Sequence, residues 1–335
     1  MKTKYAIVIS VLIVFSSCEK LLFAPQPANT NMNNFELLWQ LVNDKYCYFS
    51  EKRVNWDSIH AVYKTSVNNT MDSHTFFNKM SDMLAELKDG HVGITSNFDT
   101  SFYGGWKFNY PSNFNLGIVL SRYLLNKYNE QSDFLWKELS NSIGYIRYSS
   151  FNTLVESYIL DTITSQFASC RGIIIDIRNN GGGDKTNTDI FTSYFTNKPF
   201  VAVYLKEKEG PGHNDFSDFK ELVIKPRGKI RYYGKVVILT NRSVYSAANL
   251  FVAEMKALPN VAIIGDHTGG GGGVPISSEL YNGWRISITS NPIFDSKKQS
   301  LEAGIAPDFP VRFSTSSLQK SVDPILDKAI AFIKE

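Results

Sequence analysis

Val236-Val237-Ile238-Leu239-Thr240-Asn241-Arg242-Ser243-Val244-Tyr245-Ser246-Ala247-Ala248 reads as a buried strand that runs through a polar turn into a helix. Consecutive branched and aliphatic residues without polar alternation suit a strand covered on both faces, as in a parallel, helix-flanked sheet. The helix expected over 246–258 puts Ser246 at its first turn, where unpaired backbone N–H groups and the positive end of the helix dipole converge. An oxyanion formed beside that hydroxyl could be held by the amide of Ala247. A serine there is also an ordinary N-cap, and the local pattern leaves both roles open.

The same alternation extends in both directions. Strands are expected over 144–148, 172–177, 201–205, 235–240, 261–265 and 284–289, and helices over 154–167, 189–195 and 317–334, which is α/β architecture. Strand 172–177 ends in Arg178-Asn179-Asn180-Gly181-Gly182-Gly183. A glycine loop at the carboxyl edge of such a sheet exposes backbone N–H groups where α/β folds place ligands. Gly181 or Gly182 could aim a second amide at an oxyanion. The spacings of a P-loop and of a dinucleotide fingerprint are both absent, which argues against a nucleotide cradle.

Upstream, residues 34–88 carry apolar side chains at helical spacing, including Phe35, Leu38, Val42, Phe76, Met80 and Leu84, and read as a small N-terminal bundle of three helices over 34–90. Asp72 or Ser73 is placed to cap the third helix and Asp89-Gly90 to stop it, leaving His91 at a helix exit before a short strand over 91–95. Residues 96–140 are aromatic and polar without a period and read as an irregular part of a catalytic domain spanning 91–335. Phe102, Tyr103, Trp106, Phe108 and Tyr110 there either pack a core or line a groove.

The first residues follow different rules. Met1-Lys2-Thr3-Lys4 is positive, the next stretch to Phe15 is apolar but short for a bilayer span, and Phe15-Ser16-Ser17-Cys18 has small residues ahead of a cysteine. Residues 1–18 are expected to be a lipoprotein signal peptide with Cys18 the lipidated residue, and 19–33 a tether. That places the chain in the cell envelope, facing the periplasm or exposed as a surface lipoprotein of a Gram-negative-type bacterium, held to the membrane by its N-terminal lipid. An ordinary signal with an incidental cysteine is the plainer alternative.

The chain has 335 residues, a formal charge of +3 and three cysteines. No basic run interleaved with aromatics asks for nucleic acid. No His/Cys spacing suggests a metal, and no cofactor is expected. Cys47 and Cys170 are expected as buried free thiols.

A serine hydroxyl needs a base within hydrogen-bond reach. Of His60, His74, His91, His213 and His267, the position of His91 between the bundle and the catalytic domain suits it best. Leu87-Lys88-Asp89-Gly90-His91-Val92, Gly144-Tyr145-Ile146, Asp176-Ile177-Arg178 with Asn179 to Gly183, Ser246-Ala247-Ala248, Gly265-Asp266-His267-Thr268-Gly269-Gly270 and Glu302-Ala303-Gly304-Ile305-Ala306-Pro307-Asp308 occur in one order. In that order, over residues 35–311, the chain resembles the S41 peptidase family of C-terminal processing (tail-specific) proteases.

The resemblance implies a crotonase/ClpP-like ββα spiral core, a serine endopeptidase acting on peptides or proteins, and an oxyanion hole from Ala247 with Gly181 or Gly182. Gly271 stands where the tail-specific branch carries its lysine base. The tricorn-like branch is therefore the better match, with His91 as base and Glu302 as the acid that orients it. Gly90 departs from that branch, which commonly carries a serine there to relay between acid and base. Asn249 stands where many relatives are acidic. The stretch from His91 to Gly144 is short for the PDZ module of other relatives. A catalytically weak or inactive S41-like ligand-binding lipoprotein is the principal alternative, and an acyl-CoA enzyme a remote one.

Overall fold

The computed structural model describes residues 27–335 apart from Asn109 and Asn141. The expected signal peptide and Cys18 lie outside the described residues, as does the tether up to residue 26.

Four helices open the fold: α1 Asn31–Lys45, α2 Phe49–Lys52, α3 Trp56–Lys64 and α4 Ser73–Ala85. The single turn α2 was not anticipated from the sequence. Asp72 caps α4, its Oδ1 accepting from the amides of His74 and Thr75 at 3.0 Å each. The left-handed residue beyond α4 is Lys88 (φ 49°) rather than Gly90. Phe35, Leu38, Met80 and Leu84 do not close on each other alone; they share one core with Ile94, Trp284, Ile286 and Ile288 of the sheet beneath.

The chain continues through β1 Gly93–Thr95, β2 Thr100–Phe102, β3 Asn129–Gln131, β4 Phe134–Leu139 and β5 Ile143–Tyr148. Helix α5 Ser157–Gln166 crosses to β6 Gly172–Asp176. Helix α6 Lys185–Thr192 leads to β7 Phe200–Leu205, β8 Lys220–Ile224 and β9 Lys235–Thr240. Helix α7 Ala247–Lys256 crosses to β10 Val261–Gly265. β11 Gly273–Glu279, β12 Arg285–Phe294, β13 Phe309–Pro310 and α8 Pro324–Lys334 complete the order.

Two sheets result, giving the expected α/β class. One runs β13-β10-β9-β6-β5-β4-β3, parallel from β13 to β5 and antiparallel beyond; the other runs β2-β1-β12-β7-β8, with β11 also paired to β12. The central parallel strands show why their sequences lack alternation. Ile173, Ile175, Val236 and Ile238 pack with α5 and α7 through Ile159, Ile163, Phe251 and Met255, while Ile174, Val237 and Leu239 pack with α8 through Ile325, Ala329 and Ile333. Both faces are covered, so the positions between the strand ends are apolar. The last expected helix is interrupted: a short helix Thr315–Gln319 precedes α8, which starts anew where Asp323 caps it and Pro324 takes the first turn.

Within the 96–140 stretch lie β2, β3 and β4 and short helical turns at Gly105–Phe108 and Leu116–Ile118. Phe102, Phe108 and Tyr110 are exposed. Cys47 and Cys170 are buried and free, as expected.

Candidate active site

β9 delivers its chain end into a turn whose last residue, Ser246, has φ 55° and ψ −125°. That conformation is costly for a residue with a Cβ and persists only when its surroundings over-determine it. The surroundings do so from both sides: the Ser246 amide donates to Gly270 O at 2.9 Å, the Tyr245 amide to Asn180 O at 3.2 Å, and the Ala248 amide to Tyr245 O at 3.0 Å. The Ser246 side chain makes no capping hydrogen bond to α7. Its Oγ instead lies 2.8 Å from His91 Nε2. The N-cap role that the sequence left open is not the one adopted.

His91 sits between α4 and β1, its amide donating to Asp89 Oδ1 at 2.8 Å. Asp89 is buried, and its Oδ2 accepts from Thr289 Oγ1 at 2.9 Å, which fastens the histidine turn to β12. Burial lowers the imidazole below its usual 6.5, and Lys52 adds to this, while Asp89 opposes them. The ring is therefore neutral at neutral pH, the form a general base needs. When neutral Nε2 accepts from Ser246, Nδ1 carries the hydrogen, and Nδ1 is buried with no partner among the described residues.

Glu302, in the turn after β12, is 8% exposed and close to this centre, but neither of its oxygens hydrogen-bonds His91. Oε1 is 2.6 Å from Lys52 Nζ, and Oε2 accepts from the Gly272 amide at 3.1 Å. The resemblance implies Glu302 as the acid that orients His91, and no direct hydrogen bond joins the two; the Glu302 oxygens point to Lys52 and the Gly272 amide instead. Gly90 offers no side chain to bridge Glu302 and His91, and a Cβ added there would stand 2.5 Å from Trp106 Nε1 and 2.7 Å from Tyr245 Oη. The Trp106 indole, stacked on Tyr245 at 4.0 Å between centroids, fills that room. Burial first and Asp89 second push the Glu302 carboxyl up to about 8, against the pull of Lys52 and the Gly272 amide.

The glycine loop approaches Ser246 more closely than any side chain would allow. Gly182 (φ 103°) lies so near that an added Cβ would be 2.8 Å from Ala247 N and 2.9 Å from Ser246 Cβ. Its own amide, however, donates to Asn180 Oδ1 at 2.9 Å. Gly182 is therefore not a free oxyanion donor; the amides of Ala247 and Gly181 are the ones without a partner among the described residues. Two buried anchors hold the loop. Arg178 donates through Nε to Asp176 Oδ1 at 2.9 Å and through a terminal nitrogen to Asp323 Oδ1 at 3.0 Å. Asn241 and Asn179 exchange two hydrogen bonds that tie the glycine loop to the Ser246 turn.

Asn249 bonds Leu301 O at 3.0 Å and accepts from Thr268 Oγ1 at 2.7 Å, so this departure from the family pattern fastens α7 to the Glu302 turn. A pocket of about 180 Å³ opens beside Ser246, its apolar wall made by Leu250, Val274, Pro275, Ile293 and Leu301. Lys52 and Asn180 were not assigned roles from sequence, and Asp89 only that of stopping the third helix. Only Asp89 gave a signal, as a carboxylate two residues from the chosen histidine.

The arrangement also matches known proteins. The family model described as peptidase family S41 matches residues 142–311, and that of the tricorn protease C1 domain residues 27–85. A candidate peptidase of known structure from Parabacteroides merdae is 38% identical, with a TM-score of 0.87 over 91% of this chain and 97% of that one. The carboxy-terminal processing protease CtpA of Bacillus subtilis is 27% identical over 44% of this chain and 30% of its own length. The tricorn protease of Thermoplasma volcanium is 24% identical over 60% of this chain and 18% of its own length. The matched region thus spans less than a third of either relative.

Proposed function

Because the chain belongs to peptidase family S41, we propose that it is a serine endopeptidase of the cell envelope, lipid-anchored through Cys18, with Ser246 as nucleophile and His91 as base. Ser246 Oγ attacks the carbonyl carbon of a peptide bond as its proton passes to His91 Nε2. The carbonyl oxygen becomes an oxyanion facing the amides of Ala247 and Gly181. Collapse breaks the C–N bond, and the proton on Nε2 goes to the departing amine. Water then attacks the acyl-enzyme by the same route, giving up its proton to Nε2, which returns it to Ser246.

Asp89 supplies negative charge that favours the transient imidazolium. Glu302 acts through the turn it secures, its Oε2 accepting from the Gly272 amide. The apolar pocket beside Ser246 suits an aliphatic or small aromatic side chain next to the cut bond.

The observation that carries this reading is the 2.8 Å contact between Ser246 Oγ and His91 Nε2, made by a serine in a strained backbone conformation rather than by a cap. A fluorophosphonate probe tests it. Wild type is expected to be labelled, and Ser246→Ala and His91→Ala are not; equal labelling of wild type and Ser246→Ala would refute the assignment.

A further inference from the structure

We propose that Lys52, supplied by the N-terminal helices, is a positioning residue of the hydrolytic centre: its ammonium holds the Glu302 turn in place and sets positive charge beside Asp89, behind His91. This rests on the serine-peptidase reading above and adds to it a residue outside the motifs that carry the family resemblance.

The geometry is that of a fixed group rather than a roaming surface lysine. Nζ is 2.6 Å from Glu302 Oε1, donates to Lys88 O at 3.0 Å and Leu87 O at 3.3 Å, and lies 3.9 Å from Asp89 Oδ2. Three ammonium hydrogens thus meet three acceptors. The Lys52 side chain is 18% exposed and that of Glu302 7%. A buried carboxylate without a counter-charge is expensive, and a polar side chain left there without its donor also costs stability.

Lys52 is itself held. Phe49 of α2 is buried and packs on Tyr46 and Trp56 at 4.9 and 6.1 Å between centroids. Arg53 ends the helix in the left-handed conformation (φ 55°), so the chain turns away immediately after Lys52. Glu302 in turn grips the Gly272 amide, at the end of the glycine run whose Gly270 carbonyl holds the Ser246 amide. One line of contacts therefore runs from α2 through Glu302 and the glycine run to the nucleophile. The other charged and titratable groups around the ammonium are Glu51 on its own helix, Lys88, Asp89 and His91 in the adjoining turn, and the Tyr46 and Tyr48 phenols. Burial raises both phenols well above their usual range, so they stay neutral.

The test is the second-order rate of fluorophosphonate labelling as a function of pH, with thermal unfolding of each variant alongside. Lys52→Met is expected to slow labelling about tenfold or more and, by leaving Asp89 unopposed, to move the acid limb to higher pH. Lys52→Arg should restore much of the rate. In its plateau rate, Lys52→Met combined with Glu302→Gln should fall no further than Glu302→Gln alone, because the lysine positions the centre through that side chain, whereas the acid-limb shift that runs through Asp89 should persist. Lys52→Gln, which can still donate to the carbonyls of 87 and 88, should show the same shifted profile and covers the case in which Lys52→Met does not fold.

A Lys52→Gln protein with the wild-type rate and pH profile overturns the proposal, as does a double variant whose plateau losses multiply. Ser246→Ala is run in parallel. If it still labels, the hydrolytic reading itself fails; if it is silent while the Lys52 variants match wild type, only the role of Lys52 fails.

Discussion

Alanine at Gly182 is the sharpest perturbation the site offers, because the added methyl group meets backbone rather than flexible side chains. Its Cβ would stand 2.7 Å from Tyr245 O, 2.8 Å from Ala247 N and 2.9 Å from Ser246 Cβ, on a residue whose φ is 103°. The backbone conformation alone costs about 1–2 kcal/mol in a non-glycine residue. Relieving the three contacts requires the nucleophile turn or the glycine loop to retreat by several tenths of an ångström or more.

That retreat moves Ser246 and the Ala247 amide together. A displacement approaching 1 Å near the chemistry costs on the order of 100-fold, as does loss of one oxyanion donor. Gly182→Ala is therefore expected to lower fluorophosphonate labelling by roughly 10²- to 10³-fold while unfolding only a few degrees below wild type. Its neighbour provides the contrast. A Cβ on Gly181 meets nothing within 4 Å, its φ is not in the left-handed region, and the amide is retained, so Gly181→Ala should lose less than about tenfold. Equal losses at the two glycines, or a Gly182→Ala protein labelling at the wild-type rate, would refute the reasoning.

The imidazole of His91, held below 6.5 chiefly by burial, predicts a labelling rate that is flat at neutral pH and falls as pH drops through a value below 6.5. A midpoint above 7 in the pH profile would contradict that environment. The same depression makes His91 contribute stability that is present above pH 6.5 and lost as pH falls through its folded value, readable in chemical denaturation across that window. Gly90→Ser should lower the rate rather than supply a relay, because Trp106 and Tyr245 occupy the space; adding Trp106→Ala should recover part of the loss. Arg178→Met leaves Asp176 and Asp323 buried without their cation and should cost about 3–5 kcal/mol in denaturant unfolding. Cys18→Ser should abolish labelling by radioactive palmitate and move the protein out of the membrane fraction.

The central strands were legible because burial on both faces leaves its mark on every residue. The expected 235–240 and 261–265 coincide with β9 and β10. The strands β2, β3 and β8 were not, since partial exposure and antiparallel pairing leave no apolar run to show a period, and β4, six residues and mostly buried, was lost in the aromatic and polar stretch around it. Asp323-Pro324 carried the break before α8 in plain view, but the apolar spacing on either side concealed it. At the site, the meeting of His91 and Ser246, 155 positions apart, followed from motif order. Which glycine amide stays free did not, because that depends on where the Asn180 side chain turns. Lys52 was hidden in Glu51-Lys52-Arg53, a run whose composition is that of any solvated surface.

Ser246 and His91 stand on different layers. Ser246 is carried by the large sheet and its core, whereas His91 is carried by the layer in which the first helices cover β1 and β12. A small apolar patch, Val203, Leu250, Ala253, Ile293 and Leu301, spans the seam near the nucleophile. Hydrolytic competence is accordingly a gauge of alignment between the layers: a slip of a few ångströms along the seam would silence the protein while each sheet kept its hydrogen bonds, so mild denaturant should extinguish probe labelling before circular dichroism registers any loss.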